Sequence, residues 1–246
     1  MKSGRISSLI LLTSILAACG GGSNDTIIAP TTYKFVIPAV GLQRVWTRTT
    51  IDNASNTINE SYTDTVTAAT ATSFTRSIVD PFTKVAIAFN GVSYGITPHL
   101  ETLNSSGQEL SEQSLDGTTT VGGSGICTFT PNGGGVTFPT TVGATWNMTY
   151  SKKCGTNGIP QSFTNSGAVV GVESVTVPAG TFSALKILST TTYTTSTGTN
   201  VIDNTSTWRD VNTGLVVKTF DAYSYSGTLP ASGYVTQETT VLQSQK

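Results

Sequence analysis

Val85-Ala86-Ile87-Ala88-Phe89-Asn90-Gly91-Val92-Ser93-Tyr94-Gly95-Ile96 spells out a β-hairpin. An Asn-Gly pair tolerates the two positive φ angles of a type I′ turn and so sets a two-residue loop. With that loop, Phe89 faces Val92, Ile87 faces Tyr94 and Val85 faces Ile96. Every large apolar side chain then falls on one face, so turn chemistry and hydrophobic pattern demand the same register independently.

The same punctuation continues along the chain. Short runs of Val, Ile, Thr, Phe and Tyr are separated by Gly, Asn, Asp and Pro, and no stretch repeats apolar residues at helical spacing. Strands are predicted near 33–38, 43–52, 58–68, 72–79, 143–151, 201–209, 215–225 and 233–243. A second hairpin runs from Gly167 to Val177, turns at Pro178-Ala179-Gly180, and returns from Phe182 to Tyr193. A three-residue loop would pair Val177 with Thr181. A four-residue loop would pair Val177 with Phe182 and set Glu173 opposite Lys186, and that cross-strand ion pair favours it. The fold class expected is all-β, an antiparallel sandwich or partly open barrel.

One segment is echoed. Phe35 to Trp46 and Phe138 to Trp146 both place a Val-Gly turn after a Pro and lead into a strand that begins with Trp. Two related β units, 33–125 and 126–246, would account for it, with the Gly-rich stretch from Gly117 to Gly135 as their connection.

The amino terminus reads differently. Lys2 and Arg5 precede an apolar run from Ile6 to Leu16, about eleven residues against the roughly 20 a bilayer-spanning helix requires. Leu16-Ala17-Ala18-Cys19 follows, and it resembles the lipobox of bacterial lipoproteins. That resemblance implies a signal peptide over 1–18, acyl chains including palmitate on Cys19, and dependence on the lipoprotein processing and sorting machinery. Residues 19–32, opening with Gly20-Gly21-Gly22-Ser23-Asn24, then form a flexible linker to the β domain at 33–246. Gly20 stands where Asp would favour inner-membrane retention in the resembling lipoproteins, so the resemblance implies a lipid anchor in the outer membrane.

Charged residues make up 11% of the chain and the formal charge is −1, against about 25% charged residues in an ordinary globular domain. No basic stripe is present for nucleic acid to grip. With Cys19 acylated, Cys127 and Cys154 remain. In an oxidising envelope compartment these two are expected to pair as a disulfide.

Val177-Pro178-Ala179-Gly180-Thr181-Phe182, with Trp208 and Gly214-Leu215-Val216-Val217 downstream, resembles uncharacterised β-rich envelope proteins that carry a VPAGTF-type hairpin. The resemblance spans roughly residues 136–220 and implies no activity. Some members are similar to lipoprotein carriers in which a curved sheet wraps a helix over a lipid-binding cavity. The present sequence lacks the helical segments for such a cover.

No catalytic constellation stands out. His99 is the single histidine and reads as a strand-end or loop residue, and there is no G-x-S-x-G elbow to supply a nucleophile for it. His99, Cys127 and Cys154 contain no close ligand pair for zinc. Glu109 and Glu112 read as a polar, loop-like stretch, the remaining acids as solvated charges at edges and turns, and Asp203, Asn204, Asp210 and Asn212 as Asx-turn residues. The glycine runs lack the following helix and Lys of a phosphate loop. Neither a metal nor a cofactor is expected. The aromatic residues Trp46, Trp146 and Trp208 are the candidates for lining a ligand site. The function expected is a non-enzymatic envelope lipoprotein with a structural or binding role toward an envelope protein. The alternative is a binder of a hydrophobic ligand or lipid in a β-sheet cavity.

Overall fold

The computed structural model describes residues 30–79, 87–89, 92–94, 98–115, 125–229 and 233–246. The leader, Cys19, and the Asn90-Gly91 turn with Val85 and Ile96 lie outside them. Among the described residues fourteen strands are formed: β1 Gln43–Asp52, β2 Thr57–Ala69, β3 Ser73–Val79, β4 Ile87–Phe89, β5 Val92–Tyr94, β6 His99–Asn104, β7 Glu109–Ser114, β8 Ile126–Thr130, β9 Thr145–Cys154, β10 Gln161–Val177, β11 Gly180–Thr194, β12 Thr199–Asp210, β13 Val216–Gly227 and β14 Val235–Gln245. No helix occurs among the described residues.

Twelve of the strands form one antiparallel barrel, closed between β1 and β14. Closure removes the exposed edges that an open sheet of this length would present. β4 and β5 form a separate ladder with Ile87 opposite Tyr94 and Phe89 opposite Val92, the register that the Asn-Gly turn demands. In the barrel, alternation divides inward from outward. Arg44, Trp46 and Arg48 of β1 face inward beside Asp64, Tyr62 and Glu60 of β2. Outward positions include many hydroxyls and amides, such as Thr145, Asn147 and Thr149 of β9 and Thr192 and Thr194 of β11, with Leu188 and Ile202 exposed among them.

Several elements differ from the sequence expectation. Residues 33–38 form no strand; only Tyr33 is bridged, to Thr140. Glu109 and Glu112 stand in β7 rather than in a loop, and Ile126–Thr130 of the expected Gly-rich connection is β8, which pairs with β7 and β9. The second hairpin takes neither register considered. Val177 pairs with Gly180, so the loop is Pro178-Ala179 alone. That register sets Glu173 opposite Ala184, and a bulge at Val170 shifts the ladder only farther from the turn. The ion pair to Lys186 survives as a diagonal contact at 3.5 Å.

The segments 33–42 and 136–144 pack against inward-facing side chains and stopper one end of the barrel. Phe35 lies 5.8 Å from Phe74 and 5.9 Å from Phe138. Both segments use the same clip. Gly41 N donates to Val66 O while Val66 N donates to Leu42 O; Gly143 N donates to Val169 O while Val169 N donates to Ala144 O. Both glycines have positive φ, 93° and 87°, where a side chain would be strained. In each case a bulge in the receiving strand follows the clipped valine. A separate core gathers Trp46, Trp208, Val175, Val177, Val217 and Leu242 around the β10–β11 tip, which is held by the Ala179 N bond to Leu242 O.

Candidate functional site

Beside the stopper lies a cavity of about 320 Å³. Its walls are Ile37, Pro38 and Leu42 of the stopper, Phe182 of β11, Leu215 just before β13 and Val217 within it; Asp210, Thr213 and Gln245 add polar groups. The turn that joins β12 to β13 shapes it. Asp210 Oδ1 accepts from the backbone N–H of Asn212 and Asp210 Oδ2 from the Thr213 hydroxyl, the Asx-turn role expected of Asp210 and Asn212. Thr213 O in turn accepts from Val36 N, which ties the turn to the stopper. With the Asp210 carboxylate engaged in its own turn, the cavity presents mainly hydrocarbon to a guest.

The tryptophans are placed elsewhere. Trp46 is buried and stacked on Tyr62, and its indole N–H donates to Asp64. Trp208 donates to Glu173 and lies under the Lys186 and Lys218 ammonium groups. Trp146 packs over Gly167 and donates to Asn165. Trp46 and Trp208 share one core cluster and Trp146 belongs to another. None of the three is among the cavity's lining residues.

Inside the barrel the charges are not the solvated ones the sequence suggests. Asp64 takes two bonds from Arg44, at 3.0 and 2.7 Å, and a third from Arg76 at 3.1 Å. Arg76 continues to Glu101, and His99 reaches Glu101 at 3.0 Å. Burial opposes ionisation of Glu101, but Arg76 and His99 outweigh it and hold its carboxyl down at about 2. Farther from the stopper the balance turns acidic. Arg48 serves both Glu60 and Glu238, Asp221 lies opposite Glu238, and Asp203 lies opposite Tyr223. Burial, reinforced by Asp203, pushes Asp221 up to about 7. Burial likewise pushes Asp203 to about 6, with Glu238 adding to it.

A raised carboxyl pKa sets the sign of a pH dependence. Between the ordinary Asp value near 4 and the raised values, the folded chain holds protons that the unfolded chain has released. The contribution of these two groups to stability is therefore full below about pH 4, falls as pH rises toward about 7, and is level above that. Asp221→Asn should flatten this fall and unfold at a higher temperature than the natural chain at pH 8. Melting curves across pH 4–8 measure it; an unchanged slope would contradict the assignment.

Cys127 and Cys154 are joined, as directly opposite residues of β8 and β9. The thiols of an imagined zinc site with His99 are therefore consumed, and no group of three or more His, Cys, Asp or Glu that could hold a metal occurs among the described residues. The cavity and the acidic row went unseen in the sequence. Each is assembled from segments far apart along the chain, with no local motif.

No family model matches the chain, and no curated protein matches it. Two solved structures are similar. One is from Bacteroides fragilis, titled as an exported protein with YMCC-like fold; it is 16% identical, with a TM-score of 0.47, covering 88% of this chain and 100% of that one. The other, titled as a lipoprotein from Parabacteroides distasonis, is 15% identical with a TM-score of 0.45 and the same coverage.

Proposed function

We propose that the chain is a non-enzymatic lipoprotein of the cell envelope, anchored in the outer membrane through Cys19, that holds one apolar chain of a lipid-class ligand. The observation that carries this reading is the cavity of about 320 Å³ beside the stopper. That volume lies at the small end of ligand pockets, about 300–1,000 Å³, and suits a single hydrocarbon chain rather than a whole multi-chain lipid. Each buried methylene contributes about 0.8 kcal/mol, so a modest length of chain supplies useful affinity. The placement of the cavity also supports it. The tether enters at the stopper, and the roughly 17 residues between Cys19 and Val36 span at most about 60 Å when extended.

Ala39 lines the cavity and is itself exposed, so a larger side chain there can fill the cavity without displacing core. Chain produced from Ser23 onward should retain one lipid per molecule in native mass spectrometry after exposure to an envelope lipid extract. Ala39→Trp should weaken binding of a fluorescent acyl probe at least tenfold with little change in melting temperature. Equal binding by both proteins, or none by either, would count against the reading. So would turnover of an envelope substrate that disappears when one polar cluster is mutated.

A further inference from the structure

The inner face away from the stopper carries a charge imbalance that the apolar cavity does not explain. Glu60 of β2, Glu238 of β14, Asp221 of β13 and Asp203 of β12 all face inward, with Arg48 of β1 set between Glu60 and Glu238. One guanidinium is shared by two carboxylates. The charged groups acting on Asp221 and Asp203 are themselves carboxylates. Asp221 and Glu238 are direct cross-strand partners, an arrangement that destabilises a sheet when both are charged.

Two buried oxygens in this row are also left without a hydrogen-bond partner, Glu60 Oε2 and Asp203 Oδ1. The Glu60 side chain is 3% exposed, so water does not readily satisfy it, and a buried acceptor left unmet is costly. A cation along this face would offset the surplus of carboxylates and give these oxygens a partner.

The shape of the row selects the cation. Calcium requires oxygens converging at about 2.3–2.6 Å on one point, whereas these carboxylates are spread over several strands. Directly opposite side chains stand about 5 Å apart and diagonal ones about 7–8 Å. That spacing suits ammonium groups separated by three or four methylenes. Tyr223 stacks with Tyr225 at 6.4 Å and Tyr225 meets Tyr234 at 4.7 Å, giving an aromatic wall on which alkylammonium groups are stabilised. The Glu238 side chain is 21% exposed, so the row is open to solvent on one side. We propose that this inner face binds a linear aliphatic polyamine, with ammonium groups paired to Asp203, Asp221 and Glu238 and the methylenes against Tyr223.

The test is calorimetric titration of the full-length mature chain in non-ionic detergent with spermidine, n-butylamine and Mg²⁺ at constant ionic strength. Spermidine should bind one per chain, at least a hundredfold tighter than n-butylamine, and Mg²⁺ should not displace it. The D203N/D221N pair should lose at least tenfold in affinity while melting no lower than the natural chain at pH 7.5, and E112Q should leave binding unchanged. Spermidine binding no tighter than n-butylamine, displacement by Mg²⁺ at equal charge, or undiminished affinity in D203N/D221N would each overturn the proposal.

Discussion

Asp64→Ala is expected to destabilise the fold by about 3–5 kcal/mol, which for a domain of this size lowers Tm by roughly 6–20 °C. The Asp64 side chain is 1% exposed and the Arg44 side chain 3%. Its carboxylate accepts from Arg44, Arg76 and the Trp46 indole at once. The alanine variant strands a buried guanidinium and an indole N–H and leaves Arg76 dependent on Glu101. Removing one partner of a buried pair is far more damaging than the pair's net contribution suggests, because the charge left behind keeps its desolvation penalty. Burial already presses the Arg44 pKa down against the pull of Asp64. Asp64→Asn, which keeps the shape and loses the charge, should fall between. Arg76→Ala should be milder, since Asp64 keeps its two bonds from Arg44. Thermal unfolding of the three variants orders them. A loss below about 1 kcal/mol for Asp64→Ala would mean that water enters this part of the barrel, because a solvated ion pair is worth that little.

The same residues explain which parts of the fold were legible. The Ile87–Tyr94 ladder was readable because Asn-Gly and an apolar face agree on one register. The Val-Gly-to-Trp echo was readable because both copies carry the same structural demand, a positive-φ glycine clipped to a bulged strand. β6, β7 and β8 were not readable as strands, and the reason is physical. Their inward positions mix His99, Glu101, Glu109 and Glu112 with Leu103, Cys127 and Phe129, so ions interrupt the usual apolar alternation. Residues 33–38 failed in the opposite direction. Phe35 and Ile37 alternate as a strand would, yet they are inserted as a stopper, and sequence period cannot tell a wall from a plug. At the second hairpin, Gly180 reads from the sequence as a loop residue because of its left-handed freedom. It uses a φ of 137° as the first paired residue of β11 instead. The candidate site was least legible of all. Its lining comes from the stopper, β11, the β12–β13 turn, β13 and β14, and proximity among five segments leaves no trace in local pattern.

Severing the disulfide with Cys127→Ala and Cys154→Ala should destabilise the chain by about 3.5 kcal/mol, a Tm loss of roughly 7–14 °C. The link spans 27 residues of sequence, and the chain-entropy account assigns the effect to a freer unfolded state. Its place in the barrel adds a local consequence. β8 is the shortest strand of the barrel among the described residues, joined to β7 by three residue pairs and to β9 by four. The cross-link therefore fastens the wall where backbone pairing is thinnest. Amide exchange in the variant should lose protection first in β7, β8 and the end of β9, before the long β10–β11 hairpin. Cys127 is fully buried, so the two alanines also remove core volume, and the variant alone does not isolate the bond. The natural chain, reduced while unfolded and refolded under reductant, separates the two effects. If the bond is responsible, it should match the alanine variant to within about 1 kcal/mol, the scale of the packing lost with two small side chains. Reduced chain that retains the oxidised Tm would assign the stability of this seam to packing, and β7–β9 would then hold without the bond.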